Sequence, residues 1–200
     1  RLQAELKVSL GGKRKGGKVA NLGLMYAMTE GGFCDYANKN FNMGWDLEYA
    51  TSIRDQWFDS YPEVDLWHIW QELHPYETVW LPDPVTTIRR PCDTYLVKTL
   101  GGRPLVAFGK NAALAFPDQG SGADITFKAM KLMNQDSLRL YNSIINQVHD
   151  EFVLEVPSDS AESDAALVSK LMGEAGDYYT MEYGVPITAD ALIGDVWEKD

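Results

Sequence analysis

Two hundred residues, 45% of them hydrophobic, with a net charge of −11, suit one or two globular domains with a real core. No apolar run approaches the roughly eighteen residues that a membrane span needs. The overall acidity argues against a protein that coats nucleic acid non-specifically. The charge is uneven. Residues 1–18 hold Arg1, Lys7, Lys13, Arg14, Lys15 and Lys18 against Glu5 alone, while the acids of 150–200 face only Lys170 and Lys199. A basic end suits an anion such as a phosphate; an acidic end suits metal ions or solubility. Cys34 and Cys92 form no metal-spaced pair, as expected of free thiols in a reducing compartment such as the cytoplasm. The chain opens on Arg1 rather than Met, which leads us to expect further sequence upstream.

In chain order, residues 13–27 have helical spacing, interrupted by Gly16 and Gly17. Each glycine costs about 1 kcal/mol against alanine inside a helix, so a loose first turn is expected. Residues 28–43, rich in Gly and Asn, read as loop or short helices. Residues 44–60 predict an amphipathic helix with Trp45, Tyr49, Ile53 and Trp57 four apart, and 63–73 a second helix. The prolines and the glycine pair of 74–105 predict loops and short strands, with a hairpin turning at Gly101 and Gly102. From Pro117 to about Tyr141 the spacing is helical again. INQVHDEFVLEV, 145–156, reads as strand, tight polar turn and returning strand. Residues 159–183 predict a helix capped by Ser158 or Ser160, with acids in its first turn. Residues 185–194 predict a last strand.

Three stretches carry chemistry. Residues four apart on a helix lie about 40° apart around its axis, so Arg14, Lys18 and Leu22 share a face, with Tyr26 at its edge. The ridge reads cation, cation, apolar, aromatic, the order in which a nucleoside triphosphate presents phosphates, sugar and base. The same spacing fits an exposed basic helix end whose apolar tail enters the core. In the second stretch, His149, Asp150 and Glu151 form a turn whose tip could hold a carboxylate rigidly as a metal ligand. Asp150 and Glu151 point different ways on a strand and need not share an ion. A plain polar hairpin tip fits equally. Third, Gly120 and Gly122 at a helix start permit close approach of a partner, beside Gln119 with its donor and acceptor amide. A loop feeding a buried helix fits as well.

Taken in order, these segments resemble DNA polymerase family A. The family's fingers helix, Arg-x-x-x-Lys-x-x-Asn-Phe-Gly-x-x-Tyr-Gly, stands here as RKGGKVANLGLMYA, with Arg14, Lys18, Asn21, Gly23 and Tyr26 matched and Leu22 and Ala27 departing. The late palm motif Gln-Val-His-Asp-Glu is intact as Gln147 to Glu151. YPEVDLWH, VKTLGGRPL and PDQGSGADI resemble the intervening segments, so the likeness covers essentially the whole chain. The resemblance implies an α/β protein of α+β type, with helical fingers over 1–105 and part of an antiparallel-sheet palm over 106–200. It implies template-directed DNA synthesis by two-metal phosphoryl transfer, the 3′-hydroxyl attacking the α-phosphate. Arg14 and Lys18 would bind the incoming dNTP, with Lys18 also serving catalysis. Leu22 would face the sugar and Tyr26 the template base. Asp150 would be catalytic and bind Mg²⁺. His149, Gln147 and Gln119 would contact primer–template DNA.

Leu22 stands where the family usually has Phe or Tyr, which suggests a divergent, phage-like lineage. Asn111 and Ala115 replace an Arg and an Asn that usually grip the duplex. The first catalytic motif, Asp-Tyr-Ser-x-Ile-Glu, is absent and is expected on a missing N-terminal portion, so the chain alone is expected to be inactive. The alternatives are a non-catalytic nucleotide- or DNA-binding remnant and a metal-dependent phosphohydrolase working through the His-Asp-Glu turn.

Overall fold

In a computed structural model, residues 14–82 and 89–197 are described. Helices and two small sheets make an α+β fold. The chain divides into two compact units, Arg1–Val97 with Leu105–Phe116, and Lys98–Pro104 with Pro117–Asp200.

The first unit holds α1 (Arg14–Leu24), α2 (Glu30–Phe41), α3 (Leu47–Ser60) and α4 (Pro62–Leu73), then β1 (Glu77–Pro82), β2 (Arg89–Lys98) and β3 (Pro104–Phe108) in the order β1-β2-β3. Its helical core joins Val19, Ala20 and Leu24 of α1 to Phe33 and Ala37 of α2 and to Ala50, Ile53 and Trp57 of α3. Of the two readings of residues 28–43, loop or short helices, the structure takes the helical one in α2. Thr29 caps α2 by accepting from the Gly32 amide at 3.3 Å, and burial of Phe33 and Ala37 outweighs the poor propensity of Gly31 and Gly32. Asn38 fixes the next turn by donating to the Trp45 carbonyl at 2.7 Å and accepting from the Trp45 amide at 2.8 Å. Asp46 caps α3 through the Tyr49 amide at 2.8 Å. β1 and β2 pair antiparallel, with Val79 opposite Cys92. A smaller core joins Tyr95, Val97, Ala107 and Ala113. Cys34 and Cys92 are free thiols.

Helix α5 (Lys110–Asp136) begins before the predicted start at Pro117 and carries that proline inside it. Proline removes one helical hydrogen bond, but the turns before it are anchored by buried Ala113 and Leu114. Together with α6 (Leu138–Asn142) it replaces the single helix expected over 117–141.

The second unit packs α5 from Pro117 onward, α6 and α7 (Ala161–Thr180) around Ala129, Met133, Leu140, Val168, Leu171 and Ala175. The antiparallel hairpin of β4 (Ile144–Val148) and β5 (Glu151–Leu154) adds Ile144, Phe152 and Leu154 to this core. Ser160 occupies the cap position of α7, but its hydroxyl donates to Asp164 at 2.9 Å instead of capping the helix. Asp164 is buried and also pairs with Arg139, which holds its carboxyl below the usual range. The strand expected over 185–194 is not formed. The segment finds no ladder partner among the described residues. It lies instead against α7, where the Ile187 amide donates to Asp177 at 3.0 Å and Gly176 makes room for the Ile187 side chain. The turn Thr99–Arg103 closes through the Gly102 amide and the Thr99 carbonyl at 2.9 Å, with Gly102 at φ 79°. Among the described residues, no helix is long and apolar enough to cross a membrane.

Candidate nucleotide and nucleic-acid sites

In the first unit, α1 buries Val19, Ala20 and Leu24 and turns Lys18 and Leu22 outward. Leu22 is 39% exposed, so the apolar member of the ridge does not enter the core. The helix ends at Leu24, earlier than the spacing predicted, because Ala27 takes a left-handed φ of 57°. Tyr26 thus sits half-buried in the turn after the ridge rather than on it. Of the basic end, residues 1–13 and the side chain of Arg14 lie outside the described residues; Arg14 opens α1.

The back of this helix is firmly held. Trp57 donates its indole N–H to Asn21 Oδ1 at 2.8 Å. A Cβ on Gly23 would come within 2.8 Å of the Phe33 ring, so only glycine lets α1 and α2 approach this closely. Gly17 faces open space, and the packing gives no reason for it. Buried His68 places Nε2 2.9 Å from the Met25 carbonyl, tying α4 to the turn that ends α1. Burial lowers the His68 pKa, and Lys110 adds to the effect against the opposing bond to Met25. These supports were missed in the sequence, although a tryptophan at a core position always asks where its N–H goes.

In the second unit, His149 and Asp150 form the tip of the β4–β5 hairpin. His149 has a left-handed φ of 54°, which turns the chain in two residues. Gln147 donates its amide to the His149 carbonyl at 2.7 Å, and Thr126 of α5 reaches the same oxygen at 3.4 Å. Gln147 thus braces the turn from within. Asp150 is exposed at the tip. Its neighbour Glu151, the first residue of β5, accepts the Trp197 indole N–H at 2.8 Å. Gln119 is exposed on α5, seven residues before Thr126 and so on the same helical face, roughly 10 Å along the axis.

Among the described residues, no three His, Cys, Asp or Glu side chains converge to hold a metal ion. Mg²⁺ demands near-octahedral oxygen ligation and gives up water reluctantly, so Asp150 by itself does not make a Mg²⁺ site.

The family model for DNA polymerase family A matches residues 5–199, and the chain belongs to that family. It is 28% identical over 190 residues to DNA polymerase I of Aquifex aeolicus (strain VF5), covering 94% of this chain and 30% of that protein. It is 28% identical over 184 residues to the thermostable DNA polymerase I of Thermus filiformis, covering 92% and 20%. It is 26% identical over 196 residues to the mitochondrial DNA polymerase I B of Oryza sativa subsp. japonica, covering 96% and 18%. The chain therefore spans between about a fifth and a third of the length of these relatives.

Proposed function

We propose that this chain supplies the fingers, 1–105, and the C-terminal part of the palm, 106–200, of a template-directed DNA polymerase. The observation that carries this reading is the intact Gln147–Glu151 motif on a braced hairpin, in a chain whose match to the family runs from residue 5 to residue 199. Arg14 and Lys18 neutralise the triphosphate of an incoming dNTP, Arg with a planar fork and Lys as a point charge. Leu22 packs on the sugar, where a branched aliphatic side chain gives apolar contact without stacking. Tyr26 meets the template base. His149 meets the primer end, and Gln147 and Gln119 attend the duplex. Asp150 contributes one carboxylate toward Mg²⁺.

The remaining carboxylate has to come from polypeptide outside these residues, on a segment bearing an Asp-Tyr-Ser-like motif. Glu151 is not counted toward it, its Oε1 already accepting the Trp197 indole N–H. Primer extension tests this reading. Residues 1–200 alone are expected to give no extension with Mg²⁺ or Mn²⁺. A longer or reassembled protein carrying the first motif is expected to extend a primed template, and Asp150→Ala in it to abolish extension. Template-independent release of phosphate from nucleotides would favour a phosphohydrolase instead. Asp150-dependent extension by the isolated chain would show that its own residues complete the site.

A further inference from the structure

The second unit has an open cleft of about 300 Å³ lined by Asp124, Phe127, Lys128 and Lys131 of α5 and by Tyr178 and Tyr179 of α7. Its volume is at the lower end for ligand pockets. The α5 residues fall at i, i+3, i+4 and i+7, one face of the helix. Thr126, which reaches the hairpin tip, and Gln119 lie on roughly the opposite side of the axis. The cleft is therefore separate from the face that serves the tip.

Its charge is specific. Asp124 is held on one side, since Arg103 donates Nε to its Oδ1 at 2.8 Å and Nη2 to the Gly120 carbonyl at 3.1 Å, while its buried Oδ2 has no partner among the described residues. Lys128 and Lys131 bring two cations to the cleft, in a chain of net charge −11. Lys128 Nζ is held 3.7 Å from the centroid of the Tyr178 ring, which fixes its position against one aromatic face. Phe127 is 65% exposed and Tyr178 67% exposed, so both rings are open to a ligand. Exposed rings beside cations suit flat, anionic ligands. In duplex DNA the base faces are hidden by stacking, whereas a single strand offers both base face and phosphate.

We propose that this cleft is an accessory site for single-stranded DNA, in which a base stacks on Phe127 or Tyr178 and the adjoining phosphate meets Lys128 and Lys131. The site goes beyond the synthesis reading and uses none of its residues, so either can fail without the other. The test uses the full chain and a fluorescent oligothymidylate carrying one 5-iodouracil. Irradiation is expected to cross-link it to the peptide containing Phe127 or to that containing Tyr178. Lys128→Ala/Lys131→Ala is expected to lower the salt dependence of binding, with the log–log slope falling by about 0.7 for each phosphate no longer neutralised. Phe127→Ala, at an exposed position, is expected to weaken binding by roughly 5- to 150-fold, the range for losing one stacked base. Lys18→Ala and Asp150→Ala are expected to leave the cross-link in place. The proposal is overturned by cross-links confined to other peptides, by no oligothymidylate binding at all, or by affinity unchanged in both cleft variants. It is also overturned if oligoglutamate of equal charge binds as tightly and ignores Phe127→Ala, which would make the cleft an acidic-peptide site.

Discussion

The ridge of α1 and the tip of the β4–β5 hairpin present their candidate residues by opposite means. On α1, Lys18 and Leu22 are placed from behind by the indole bond from Trp57 to Asn21, the Gly23–Phe33 contact and the tie from His68 to Met25. At the hairpin, the backbone itself does the placing, through a left-handed His149 and one carbonyl oxygen that receives both Gln147 and Thr126. A site built on packing is vulnerable to changes in residues that never touch ligand. A site built on a turn is vulnerable in its backbone and in the side chains, here Gln147 and Thr126, that brace that backbone.

The largest effect expected from this contrast comes from the back of α1. Trp57→Ala removes a fully buried aromatic and orphans Asn21, and should cost about 3–5 kcal/mol. Amide exchange along α1 should accelerate accordingly; unaltered protection would mean the helix is held by something else. Next, Lys18→Ala in an assembled polymerase should weaken dNTP binding by roughly 1.5–3 kcal/mol, the range for hydrogen bonds to charged groups. Equal affinity would remove Lys18 from the site.

The two glycines of α1 sharpen the comparison further. Gly23→Ala should destabilise by about 1–3 kcal/mol through overpacking against Phe33. Gly17→Ala meets open space and should stabilise by up to about 1 kcal/mol through helix propensity. Urea unfolding of the pair should move in opposite directions; a shared direction would show that the helix start and its end are not distinguished by packing.

The smallest effect is a pH dependence. His68 is held neutral by burial, with its folded pKa below the ordinary 6.5. Between those two values the unfolded chain binds the extra proton and the folded one does not, so stability rises with pH there. The contribution is complete above about pH 7 and is lost as the pH falls below the ordinary histidine value. Unfolding followed by tryptophan fluorescence at pH 7.5 and 5.5 should show the loss, and His68→Gln should flatten it. Equal slopes in both proteins would exclude His68 as the source.

Much of this was legible in the sequence where a local rule decided the outcome. Helix α3 follows its apolar spacing, and the hairpin follows two β-branched runs about a polar turn. The rest was hidden where tertiary contact overruled a local rule. Pro117 reads as a helix start, but buried turns before it carry the helix through. Gly31 and Gly32 left loop and short helix both open, and burial of Phe33 and Ala37 decides for α2. Residues 185–194 read as strand, but a strand exists only with a partner, and helix α7 occupies that face of the segment instead. For the candidate sites, spacing identified the ridge and adjacency identified the tip. Neither rule could find Asn21 or His68 as supports, since each acts through a residue distant in sequence.

The bond from Trp197 to Glu151 has a practical consequence. Trp197 is the one tryptophan of residues 117–200, and its indole reports directly on the strand that leaves the hairpin tip. With the other five tryptophans replaced by phenylalanine or tyrosine, its emission becomes an intrinsic optical probe, and quenching or spectral displacement on adding DNA would register events at the tip without any attached dye.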